Sequence, residues 1–206
     1  MGDSHDSDVR FLLDRQAIFD CVNRYARGLD RHDDEMVASA YHPGAIDHHG
    51  DFLGTPAEFI PWANELHAAD WSAHQHHLTT HTVDLDGDVA HAETYCIGTF
   101  QRTDEPVVDM AGGRYIDRLE RRDGEWKIVA REVVIEWVCA ADAASSRFSA
   151  GPYPDGTWDR SDLSYQRPLV VHDDVPRSAI QGSDPGSDPW IAERLDSGSS
   201  GPGASG

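Results

Sequence analysis

The stretch QHHLTTHTVDLDGDVAHAETYCIGTFQR, residues 75–102, sets Thr, Val, Leu, Ile and Tyr in alternation with polar residues on either side of Asp86-Gly87-Asp88. Alternation of period two marks a half-buried strand, and a short Gly-containing break between two such runs marks a hairpin. The spacing therefore predicts strands over 75–85 and 89–102. The same pattern continues through 112–122 and 125–140, joined at Arg122-Asp123-Gly124. Gly112-Gly113 opens the third of these strands and is read as a bulge. A meander of four long strands fills the second half of the domain.

Upstream the period changes. Phe11, Ile18, Val22, Tyr25 and Leu29 recur at helical spacing and predict an amphipathic helix over about 9–29, with Gly28 near its end. A second helix is expected over 33–41, with Met36, Val37 and Ala40 facing inward, ended by His42-Pro43-Gly44. A short strand over 45–49 and a Gly50-Asp51 turn come next. Thr55-Pro56 is an N-cap and first-turn pair that starts a third helix, expected to end near Ala68. Helices first and a meander afterwards make an α+β layout rather than a βαβ repeat. Residues 1–8 read as a polar leader and 9–140 as the domain. The segment 141–170 reads as a lid-like extension, with Phe148, Tyr153, Trp158 and Tyr165 over a pocket mouth. Residues 171–206, rich in Asp, Ser, Gly and Pro, read as a disordered tail.

Composition narrows the function. The 206 residues carry 17 basic and 37 acidic side chains, a formal charge of −20, which disfavours nucleic acid and anionic membrane partners. Cys21, Cys96 and Cys139 show no metal or redox spacing, and no dinucleotide or phosphate-loop glycine motif occurs. With no apolar run near the ~20 residues of a membrane span and no signal-like start, a reduced cytoplasmic protein is expected.

Two features carry possible chemistry. Asp30 stands where the first helix stops, and a carboxylate there opposes the helix dipole. Either water solvates it or another group holds it. The second feature is HQHHLTTH, residues 74–81. In a regular strand His77, Thr79, His81 and Val83 share one face, and His76, Leu78, Thr80 and Thr82 the other. If the Val83 face is interior, His77 and His81 enter it together. An enclosed histidine can take and return protons near neutral pH, and an aspartate can orient it. Alternate strand histidines, with His48 and His49, are the rival metal reading; no HExxH-like spacing supports it, so neither metal nor cofactor is expected.

The runs LLDRQAIFDCVNRYARGLDRHDDEMVASAYHPGAIDHHG (12–50), HQHHLTTHTVDLDGDVAHAETY (74–95) and GGRYIDRLERRDGEWKIVAREVV (112–134) resemble the SnoaL-like branch of the NTF2-like superfamily. Scytalone dehydratase, hexachlorocyclohexane dehydrochlorinase and bile acid 7α-dehydratase belong to it. The resemblance implies a cone in which a curved mixed sheet wraps around N-terminal helices and encloses a pocket. It implies an Asp–His dyad matched by Asp30 and His77, a first-helix tyrosine matched by Tyr25, and a last-strand arginine matched by Arg131. His49 falls where the dehydratases carry a second tyrosine. His81, Tyr41, Tyr95, Tyr115 and Trp137 are the expected substrate contacts.

These residues imply a cofactor-independent lyase on a small hydrophobic aromatic or alicyclic substrate. It would eliminate water or a similar group, or release formaldehyde by retro-aldol cleavage. An isomerase or cyclase of the same fold is the first alternative. A non-catalytic binder, like the β-subunits of ring-hydroxylating dioxygenases, is the second. The resemblance also implies a homotrimer or homodimer.

Overall fold

A computed structural model describes residues 2–146 and 153–170. They form α1 (Gly2–Asp30), α2 (Asp34–Ser39), β1 (Tyr41–His49), β2 (Phe52–Gly54), α3 (Pro56–Asp70), β3 (Trp71–Asp86), β4 (Val89–Arg102), β5 (Val107–Arg122), β6 (Glu125–Asp142) and a 3-10 turn at Leu163–Tyr165. The chain divides into two compact units, residues 1–149 with 155–165, and residues 150–154 with 166–206. The first holds every element just named.

The sheet has six strands in the order β2-β1-β6-β5-β4-β3. All neighbours are antiparallel except β1 and β6, which run parallel. The predicted meander and hairpins are present. At the β5–β6 turn Asp123 and Gly124 both have positive φ, 53° and 84°, as a two-residue turn matched to strand twist requires. The curved α+β sheet with N-terminal helices is the NTF2-like architecture that the sequence implied.

Helix α1 lays Ile18, Val22, Tyr25 and Leu29 into the core, while Phe11 on the same stripe is exposed. The helix begins at Gly2, inside the stretch read as a leader. Asp33 caps α2 by accepting from the Met36 N–H at 3.1 Å. At α3, Glu58 accepts from both the N–H and the hydroxyl of Thr55. Phe59, Ile60, Ala63 and His67 form its buried face. Strands β1, β3 and β5 start several residues before their predicted bounds, because pairing across the sheet extends them, and α2 ends at Ser39 so that Tyr41 to Gly44 belong to β1.

Two irregularities of the sheet shape the site. Leu78 pairs with Cys96 but His81 pairs with Thr94, so β3 carries one extra residue between them. Similarly Gly112 pairs with Trp137 and Gly113 with Ile135. The predicted bulge is therefore at this step, but the extra residue lies on β6, and the glycines sit inside β5 rather than at its start. A Cβ on Gly113 would lie 2.1 Å from the Val134 carbonyl oxygen, so only glycine allows this approach.

Candidate active site

The extra residue in β3 reverses the side-chain alternation, because each strand residue added turns the subsequent side chains to the opposite face. C-terminal to the bulge, His81, Val83 and Leu85 are half-buried while Thr80, Thr82 and Asp84 are exposed. N-terminal to it, His74 is buried and His76 and Leu78 are half-buried, whereas His77 is exposed. The expectation that His77 and His81 enter the interior together thus fails at His77. Its ring reaches only Thr99 Oγ1, at 3.5 Å.

His76 takes the place expected for His77. Its Nδ1 lies 2.7 Å from Asp30 Oδ1, and its own backbone N–H donates to both carboxylate oxygens at 3.1 Å. These contacts explain what keeps an aspartate at the unfavourable end of α1. With Asp30 ionised, the bond assigns the proton of a neutral His76 to Nδ1 and the lone pair to Nε2. The His76 and Asp30 side chains are 8% and 14% exposed, so little water competes for the pair.

His76 lines a partly open cavity of about 70 Å³. His49, Cys96, Phe100, Arg114, Tyr115, Val133 and Ile135 complete most of the wall, and the small residues Gly98, Ala111 and Gly113 leave the space open. Burial pushes the Cys96 thiol up, so it remains a neutral wall atom. A larger recess of about 400 Å³ beside Trp71 is lined by four carboxylates, Asp70, Asp104, Glu105 and Asp109, of which Arg102 pairs with the last two, so it suits an apolar ring poorly.

The other expected residues divide into three groups. His49 and Tyr115 reach the cavity. His49 packs on Phe59, with its Nδ1 3.5 Å from Asp47 Oδ1. Tyr25, Tyr41 and Arg131 are buried together and do not line the cavity. The Arg131 guanidinium stands 3.9 Å from the Tyr25 ring centre and 4.2 Å from that of Tyr115. It forms two 2.7 Å bonds with Asp117, its cross-strand neighbour, rather than pairing with Glu93 or Glu132. Burial alone would lower the Arg131 pKa, but Asp117 together with Tyr41 and Tyr25 outweighs it and holds the guanidinium charged. Burial also pushes Tyr25, Tyr41 and Tyr115 up, so all three stay protonated. Tyr41 donates to Asp47.

His81 bonds Thr94 through Nδ1 at 2.8 Å and packs against Phe19, outside the cavity wall. Burial holds its pKa down. Tyr95 and Trp137 are 39% and 44% exposed and also lie outside the wall. Trp158 and Tyr165 are not on the wall of this cavity either; Trp158 stacks on His32 and Tyr165 donates to Asp33 at 2.7 Å. Tyr153 is exposed, and Phe148 lies outside the described residues.

Sequence reasoning missed His76, Phe100 and a group of histidines beside them. His67 and His74 are buried, and burial pulls their pKa values to about 2 and about 4, leaving both rings neutral. A signal for His76 was present. Leu78 is the sole aliphatic residue of HQHHLTTH, and its parity selects His74 and His76 rather than His77.

Comparison with known proteins gives a consistent picture. Residues 10–132 match the family profile described as a SnoaL-like domain. Similar solved structures include hexachlorocyclohexane dehydrochlorinase LinA type 3 of Novosphingobium barchaimii LL02, at 19% identity and a TM-score of 0.61, over 69% of this chain and 98% of that one. A candidate scytalone dehydratase of Novosphingobium aromaticivorans DSM 12444 aligns at 19% identity and a TM-score of 0.56, over 69% of this chain and 91% of that one. A candidate aromatic ring hydroxylase of N. aromaticivorans aligns at 24% identity and a TM-score of 0.57, covering 63% and 94%. No curated protein sequence matches the chain. Among the described residues no helix is long and apolar enough to cross a membrane.

Proposed function

The chain belongs to the SnoaL-like domain family, and from that premise we propose that it is a cofactor-independent lyase acting on a small, apolar, ring-containing molecule. The observation that carries this reading is the Asp30–His76 pair, made by a 2.7 Å bond beside a partly open cavity that His76 lines. Asp30 positions the imidazole and stabilises its cationic form, while Nε2 removes a proton from the substrate. Electrons from the broken C–H bond form a new double bond as the leaving group departs. If the proton comes from a hydroxyl, the electrons form a carbonyl, and the adjacent C–C bond breaks to release formaldehyde. In that case the carbanion left behind is protonated.

His49 and Tyr115 line the same cavity, and in this reading they donate to a leaving oxygen or hold a leaving anion. The Arg131 cation and the neutral Tyr25 ring lie off its wall and form a layer against which Tyr115 packs. At about 70 Å³ the cavity is smaller than the ~150 Å³ of one known to hold benzene, so a ring would extend out of its open side. Phe100, Val133 and Ile135 supply an apolar surface for it.

The test is incubation of the protein with hydroxylated and halogenated aromatic and alicyclic compounds, read by mass spectrometry. Loss of water, hydrogen halide or formaldehyde that disappears in Asp30→Asn supports the lyase and identifies its leaving group. Consumption without a mass change makes the protein an isomerase or cyclase. Turnover unaffected by Asp30→Asn removes the dyad from the mechanism.

A further inference from the structure

His32, His67 and His74 come from three separate elements. His32 lies just past α1, His67 in the last turn of α3, and His74 near the start of β3. One ring nitrogen from each lies within 4.8 Å of the others. Each also has a buried nitrogen without a hydrogen-bond partner: Nε2 of His32, Nδ1 of His67 and Nδ1 of His74. His67 is 7% exposed and His74 3%, so water does not replace the missing partners freely. Three buried, unpartnered imidazole nitrogens on rings this close together are costly in a protein interior unless something joins them.

We propose that His32, His67 and His74 are the ligands of one divalent transition-metal ion of the zinc type. Imidazole nitrogen suits zinc, copper, nickel and iron better than magnesium or calcium. Three histidines leave a fourth coordination position for water or another small ligand. In a tetrahedral zinc site the nitrogens stand ~3.3 Å apart, so modest ring rotations must draw these closer.

Two further observations favour this set. His74 Nε2 is 3.1 Å from the Leu29 carbonyl oxygen, and donation there assigns the lone pair to Nδ1, the unpartnered atom. Backbone partners of this kind fix the orientation of metal-binding histidines. His32 has φ of +47°, at a helix end where the Asp33 N–H donates to Gly28 O at 2.9 Å and the His32 N–H to Leu29 O at 3.2 Å. That arrangement ordinarily carries glycine at the position of His32. Here a histidine accepts the left-handed backbone, and Trp158 stacks on its ring at 4.4 Å and 13°.

A second grouping, Asp30, His74 and His76, also has atoms close enough to share an ion. Its Asp30–His76 atoms are already joined to each other, however, so the first group has the unmet valence. The ion would tie the end of α1 to α3 and β3 behind the Asp30–His76 pair. It takes no part in the proposed proton transfer, so this inference and the lyase reading stand or fall separately.

The test uses tag-free full-length protein, stripped with a chelator and titrated with Zn²⁺ by calorimetry. Co²⁺ loading, monitored by its visible absorption, reports low-coordinate nitrogen ligation. One equivalent should bind and raise the melting temperature. His67→Ala should weaken binding by ~100-fold or more. His32→Gly places the favoured residue at the left-handed position, so the metal-free variant should melt no lower than the metal-free parent. It should nevertheless lose the Zn²⁺-dependent rise. His77→Ala, at an exposed histidine, and His48→Ala, at a half-buried one that pairs with Glu132, should bind normally. Absence of stoichiometric Zn²⁺ binding would overturn the proposal, as would binding retained by His32→Gly and lost in His76→Ala.

Discussion

Replacing Asp117 by asparagine strands the Arg131 guanidinium inside the sheet. Both side chains have no exposed surface, and their two bonds are 2.7 Å long. Two charges ~4 Å apart at an effective dielectric of ~20 attract by about 4 kcal/mol. Removal of one member of a buried pair costs ~3–5 kcal/mol, because the remaining charge stays desolvated. The Tyr25 and Tyr115 faces still cushion the cation at 3.9 and 4.2 Å, which places the expected loss near the lower end. At ~2–4 °C per kcal/mol for a protein of this size, the melting temperature should fall by about 6–12 °C. Urea denaturation monitored by circular dichroism measures the loss. The double replacement Asp117→Leu with Arg131→Met removes both charges and should recover most of it. A loss below ~1 kcal/mol in Asp117→Asn would refute the claim that Arg131 is a buried charge dependent on this partner.

Other outcomes are expected from the same structure. Gly113→Ala should destabilise the fold by ~1–3 kcal/mol, since its Cβ meets the Val134 backbone, as thermal melts will show. Gly112→Ala should cost less, because the atoms nearest its Cβ belong to the side chain of Trp137, which is 44% exposed, and not to the backbone. Asp162 is held down to about 2 by its bonds with Ser164 and the Thr157 N–H. Its folded value lies below the unfolded one, so its contribution is present above pH ~4 and disappears as pH falls toward 2. Asp162→Asn should lack that part of the acid loss in melts taken between pH 5 and 2.

The sequence made the architecture legible because long periodic segments announce themselves. The meander, the hairpin glycines and the Thr55-Pro56 start all reflect local chemistry that tertiary contacts did not override. The site was half legible. Asp30 attracted attention by standing where a carboxylate is electrostatically wrong, and the structure supplies the reason in three contacts from His76. The partner was misplaced by one residue. Parity was carried back from Val83 across a bulge between Leu78 and His81 that leaves no mark in Thr79-Thr80. Asp117 was missed as the partner of Arg131 because registry between strands decides which charges meet. His67 was visible in principle, since Phe59, Ile60 and Ala63 extend to it at helical spacing. Its convergence with His32 and His74 depends on three elements packing together, which no local pattern encodes.

The proposed chemistry turns on one pair of neighbouring histidines, and comparison of His76→Ala with His77→Ala on any compound the protein consumes tests it most directly. Removing His76 should lower turnover by ~10² or more while removing His77 leaves it nearly unchanged, both variants remaining folded. Loss of turnover in His77→Ala with activity retained in His76→Ala would contradict the assignment of His76 as the base.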